Sequence, residues 1–150
     1  MSNRVVHFEI QASEPEKIAD FYKSVFGWEI TLWEPPKDIY NDKMQYWMIM
    51  TGPNPKETAD NNSPKTWPGI NGGLVKRQGL APAEGSAVNA YVCTIDVDNL
   101  DNYIVKVEEN GGKITIPKMP IATVGWLAYA TDPEGNIFGM MQSDSEAKVS

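Results

Sequence analysis

The chain is poor in the residues that do redox and metal chemistry. Its 150 residues include one cysteine, Cys93, and one histidine, His7. A single thiol excludes an intrachain disulfide framework and fits a reducing compartment. Positive charge is also short, with 13 Lys and Arg against 20 Asp and Glu and a formal net charge of −7. That balance argues against a nucleic-acid or anionic-membrane surface. No apolar run approaches the roughly 20 residues of a membrane-spanning helix. Met1 to Val5 reads straight into a strand, without a signal-like apolar core or cleavage site, so the expected location is cytoplasmic. What is present is ordinary: 41% hydrophobic and 22% charged residues, enough for one compact domain or two small modules sharing a core.

The pattern of elements is written twice. Val5-Val6-His7-Phe8-Glu9-Ile10 is extended and leads into a helical stretch ending at Phe26-Gly27. Asn89-Ala90-Tyr91-Val92-Cys93-Thr94 leads in the same way to Asn110-Gly111. A shift of about 84 residues lays one on the other and places His7 opposite Tyr91. In the first copy, Ser13 reads as an N-cap, Pro15 fits the first helical position, and Glu14 and Glu16 suit the positive end of the helix dipole. Ile18, Phe21, Tyr22 and Val25 make one apolar stripe, and Gly27 ends the helix. Residues 28–33 alternate as a half-buried strand, and residues 45–51 and 70–76 supply two more. The polar stretch 52–69 is long for a loop in a compact domain and reads as a lid, binding loop or mobile insert.

Residues 78–86 read as the linker. Strand 88–95, an Asp98-capped helix with Leu100, Ile104 and Val107 as its stripe, and strands 113–117, 124–131 and 136–142 complete the second copy. A tight turn, Asp132-Pro133-Glu134-Gly135-Asn136, joins the last two strands. The expected architecture is α+β, as two tandem βαβββ modules, 4–77 and 87–142, with a polar, frayed tail at 143–150. Each curved mixed sheet has its helix outside, and the two open faces together form a ligand-sized trough.

This order of elements, with His7, Phe21-Tyr22-Lys23-Ser24-Val25-Phe26-Gly27-Trp28, Gly111-Gly112, Gly125 and Asp132-Pro133-Glu134-Gly135-Asn136-Ile137-Phe138-Gly139, resembles the vicinal-oxygen-chelate superfamily. That superfamily includes glyoxalase I, bleomycin-resistance proteins and extradiol dioxygenases, and the resemblance covers about residues 4 to 142. It implies a divalent metal in the trough, held by His and Glu from the first and last strands of each module. Carried over, those positions are His7, Tyr91, Gly139, and Gly73 or, with a bulge, Gly72. Only His7 carries a ligand-type side chain, and tight divalent binding needs three or more protein donors. No metal cofactor is therefore expected.

Strand parity places His7 and Glu9 on the trough side, away from Phe8 and Ile10. His7 reads as a general base or polar anchor, or as a histidine retained for structure; Glu9 is the second candidate for acid–base work. Asn71, Asn89 and Tyr91 are the inward polar residues, either ligand contacts or partners of one another and of water. Gly73 and Gly139 leave room for a ligand body or for tight strand packing. Trp47, Trp67 and Trp126 are candidates for stacking on a flat ligand, or are core residues. Two functions follow. One is a metal-free binder of a small apolar or aromatic molecule. The other is a lyase or isomerase related to lactoylglutathione lyase, using His7 and Glu9, with or without a divalent metal. A homodimer is the expected assembly.

Overall fold

A computed structural model describes residues 5–34, 45–52 and 69–149 of the chain. They fall into two compact units, Met1–Gln78 and Gly79–Ser150. In the first unit the order is β1 (Phe8–Ala12), α1 (Pro15–Phe26), β2 (Glu29–Trp33), β3 (Tyr46–Met50) and β4 (Gly72–Lys76). In the second it is β5 (Thr94–Asp96), α2 (Leu100–Glu109), β6 (Lys113–Ile121), β7 (Gly125–Thr131) and β8 (Ile137–Ser143). Each unit has a four-stranded mixed sheet, ordered β1-β4-β3-β2 and β5-β8-β7-β6. The first pair in each order is parallel and the rest are antiparallel. The topology is that of tandem βαβββ modules, α+β as expected.

The helix of the first unit follows from its sequence. Pro15 occupies the first turn, where its missing N–H costs nothing. Gly27 ends the helix at φ 69°, donating its N–H to Lys23 O, a conformation that costs glycine little. Ile18, Ala19, Phe21, Tyr22 and Val25 are buried along α1, as are Ala12, Ile30, Ile49 and Leu74 on the strands beneath. At the helix exit, Trp28 stacks on Tyr22 with centroids 5.1 Å apart and meets Phe8 at 5.9 Å. The aromatic run at 21–28 thus ties the helix exit to β1.

Several local expectations are corrected. The N-cap of α1 is Glu14 rather than Ser13, with no side-chain cap bond. In α2 the cap is Asn99 rather than Asp98, and its side chain accepts from Asn102 N at 3.0 Å. Gln142 on β8 fixes that start by accepting the Leu100 N–H at 2.8 Å. β5 is much shorter than the expected strand 88–95. It pairs in parallel with β8 through Thr94 and Gly139, and β8 begins only at Ile137, after the turn. By that register Val92 is level with Ile137, so residues 88–91 lie beyond the head of β8, while Cys93 O still accepts the Gly139 N–H at 2.9 Å. The same limit starts β1 at Phe8, which pairs with Gly72 at the head of β4. Glu9 faces Gly73 as Thr94 faces Gly139, so by register His7 corresponds to Val92, not to Tyr91.

β6 runs on to Ile121, and shifts of register between Ile114 and Met119 accommodate Pro117 in this edge strand. The C-terminal stretch, expected to be frayed, is held by backbone bonds as far as Ala147. Asp144 N donates to Val124 O and Thr123 N to Ala147 O, both at 3.0 Å, and Ala147 is buried. These bonds hold Thr123 at φ 64°, where a β-branched residue costs roughly 1–2 kcal/mol. Thr123→Gly is expected to raise stability by about 0.5 kcal/mol, after the entropy cost of glycine; thermal denaturation reads it. Among the described residues, no helix is long and apolar enough to cross a membrane.

Candidate functional site

In the first unit, the register gathers a small group of polar and aromatic side chains. Glu9 lies opposite Gly73, and Gly73 lies opposite Met48. Tyr46 is one same-face step along β3 from Met48. Alternation puts these residues on the face turned away from α1, and Leu74, Trp47 and Ile49 on the face beneath it. His7 stands just before β1 and meets Tyr46 across the sheet: Tyr46 Oη is 2.9 Å from His7 Nε2. To get there the phenol ring crosses Gly73. A Cβ on Gly73 would lie 2.0 Å from Tyr46 Oη, so only glycine leaves the ring its path. Trp33 of β2 packs edge-on to Tyr46, with centroids 6.4 Å apart. Met48 is exposed beside them. The result is an open, largely apolar floor with an imidazole, a phenol and a carboxylate at one end.

Burial first, and the carboxylate of Glu9 second, raise the Tyr46 pKa above its ordinary value. Both disfavour the phenolate, so the hydroxyl stays protonated through the neutral range. A raised folded-state pKa contributes stability that is complete below about pH 10 and is lost as pH rises through the folded value. Tyr46→Phe should therefore flatten part of the alkaline fall in stability; urea midpoints for both proteins at neutral and high pH check this.

The other candidates are placed elsewhere. Trp47 is 7% exposed and packs in the core, paired with Leu32 and Leu74. Trp67 and nearly all of the 52–69 stretch lie outside the described residues. Asn71 joins two strand ends: its Oδ1 accepts from Thr51 N at 2.9 Å, and Thr51 Oγ1 donates to Ile70 O at 2.8 Å. Asn89 and Tyr91 are exposed in the stretch before β5 and belong to no strand. Trp126 shares the side of its sheet that carries Gln142, the residue that reaches α2. Its Nε1 donates to Asp144 Oδ2 at 3.0 Å, and Lys118 Nζ lies 5.0 Å from the ring centroid. Lys118 in turn is paired with Asp101 at 2.9 Å. Gly139 is buried, and a Cβ there would sit 2.9 Å from Thr94 Oγ1 and 3.3 Å from Tyr129 Cε1.

Of the sequence candidates, the fold gathers His7, Glu9 and Gly73. It adds Tyr46, which sequence reasoning passed over for its larger neighbour Trp47. The signal was the alternation of β3: buried Trp47 and Ile49 require Tyr46 and Met48 to face the other way.

A divalent metal of the kind the resemblance implies does not fit these residues. Gly73 and Gly139 offer no donor, and Val92 occupies the position equivalent to His7. Nε2 of His7 is engaged by a phenol. Among the described residues, no three His, Cys, Asp or Glu side chains come together in a way that could hold an ion.

Solved structures share the fold. Fosfomycin resistance protein FosX from Listeria monocytogenes, in complex with Mn(II) and 1S,2S-dihydroxypropylphosphonic acid, aligns at a TM-score of 0.62 and 13% identity, covering 96% of this chain and 95% of that one. A glyoxalase/bleomycin resistance protein/dioxygenase domain from Frankia sp. aligns at 0.64 and 13%, covering 96% and 100%. A glyoxalase I mutant from Zea mays aligns at 0.64 and 19%, covering 94% of this chain and 46% of that one. At these identities the likeness concerns the fold alone. No curated protein matches the chain. A model of the Glyoxalase/Bleomycin resistance protein/Dioxygenase superfamily matches residues 4–140, and to that superfamily the chain belongs.

Proposed function

We propose that this protein binds a small apolar or aromatic molecule on the open face of its first sheet, without a divalent metal. The observation that carries this reading is the Tyr46 ring lying across Gly73, where the resemblance would put a ligating side chain. The ring substitutes an apolar, hydrogen-bonding surface for a carboxylate donor, and Trp33 and Met48 extend it. An apolar lining with a few convergent polar groups is what small-molecule sites present. The carboxylate of Glu9 and the net charge of −7 favour a neutral or cationic molecule over an anion such as the phosphonate held by FosX. The exposed free thiol of Cys93 supports a cytoplasmic setting. A homodimer is the assembly we propose, since twofold assemblies are the commonest.

A second reading, a lyase or isomerase related to lactoylglutathione lyase, rests on the neighbourhood of His7, Glu9 and the Tyr46 phenol, all proton-transfer groups.

A thermal-shift screen of neutral aromatic and aldehyde-derived compounds tests the binding reading. A binder present at about one hundred times its Kd should add about 2.7 kcal/mol of stability. The shift should survive EDTA and shrink in Tyr46→Ala. A shift that appears only after Mn, Fe, Ni or Zn is added would refute the metal-free reading.

A further inference from the structure

The contact between Tyr46 and His7 has a direction, and that direction assigns roles at the site. A neutral imidazole has one donor nitrogen and one acceptor nitrogen, and a phenol at neutral pH carries its proton. Tyr46 Oη lies 2.9 Å from His7 Nε2, within ordinary hydrogen-bond range. Glu9 acts on Tyr46 through its charge, and the hydrogen-bond contact of the phenol oxygen is with His7 Nε2. Either group can donate across this contact, but the phenol is a stronger acid than a neutral imidazole and the imidazole nitrogen is the stronger base, so the favoured pairing puts the phenol proton on Nε2 and the ring proton on Nδ1.

We infer that Tyr46 is a positioning residue that holds His7 as its Nδ1–H tautomer, so that the imidazole acts as a hydrogen-bond donor and Glu9 is the proton acceptor of the site. An Nε2 engaged in this way serves neither as a general base nor as a metal donor. His7 and Glu9 are two residues apart on one face, roughly 6–7 Å along the chain. A molecule meeting both would present a carbonyl or ring-nitrogen acceptor to His7 and an N–H or O–H donor to Glu9. Its flat body would lie on Tyr46 and Met48. Hydroxylated or lactam-type aromatics have that arrangement. This ligand class rests on the binding function proposed above; the tautomer does not.

The chain has a single histidine, so its ring nitrogens can be read without assignment ambiguity. The experiment is nitrogen-15 NMR of the His7 ring in ligand-free protein above the imidazole pKa. The wild type is expected to show a protonated Nδ1 and an acceptor Nε2. Tyr46→Phe keeps the ring over Gly73 but removes the hydroxyl, and should move the equilibrium toward the Nε2–H form. An Nε2–H ring in the wild type would overturn the inference, as would the same nitrogen pattern in both proteins. Because no ligand is present, failure here would leave the thermal-shift result standing. Failure of that screen would likewise leave the tautomer standing.

Discussion

Asp132→Ala should lower the stability of the second unit by about 3 kcal/mol, judged by the value of hydrogen bonds to a charged group. Asp132 is 2% exposed. Its Oδ1 accepts from Glu134 N at 2.9 Å and Asn136 N at 3.0 Å, and its Oδ2 accepts from Asn136 Nδ2 at 2.7 Å. Its own N–H and C=O close the turn, to Asn136 O and from Gly135 N. Alanine keeps the backbone bonds and strips both carboxylate oxygens, and with them these side-chain bonds, while Gly135 retains its φ of 88°. The turn sets where β8 begins, and so sets the register that pairs Gly139 with Thr94. Urea denaturation of the variant reads the loss. A change below about 1 kcal/mol would mean that water replaces the carboxylate without cost.

Gly73→Ala is expected to destabilise the chain by about 1 to 2 kcal/mol, against the usual trend in which removing a strand glycine helps. The new methyl would lie 2.0 Å from Tyr46 Oη and 2.2 Å from its Cζ. The ring can swing away, but only by giving up His7 Nε2 and its packing beside Trp33. Tyr46→Ala in the same chain frees that space, so the two substitutions should cost less together than the sum of each alone. A double-mutant cycle is expected to give a coupling of about 1 kcal/mol. Additive effects would show that the ring does not depend on the glycine.

These two residues also mark how far the sequence could be read. The tandem units were legible because each local signal agreed with the rest: Pro15 opening α1, Gly27 closing it, and the Ile18-Phe21-Tyr22-Val25 stripe facing the sheet. His7 and Glu9 were legible because parity on one strand needs no partner. Tyr46 was not, since its approach to His7 depends on the pairing of β3 with β4 and of β4 with β1. Asn89 and Tyr91 were misplaced for a related reason: a parallel strand ends where its partner begins, and β8 begins at Ile137. The tryptophans were chosen for their flat rings, with a place in the core as the other reading. Trp47 satisfies the core, and Trp126 is held by Lys118 and Asp144. Glycines were the better guide, because Gly73 recorded the passage of a ring that no local pattern reveals.

The claim most open to direct test is that a phenol–imidazole pair stands where the superfamily resemblance would place a metal. Untagged protein, incubated with Mn²⁺, Fe²⁺, Ni²⁺ or Zn²⁺, desalted and assayed for metal, should retain far less than one equivalent per chain. His7→Ala should retain no less than the wild type. One equivalent retained by the wild type and lost in His7→Ala would contradict the account.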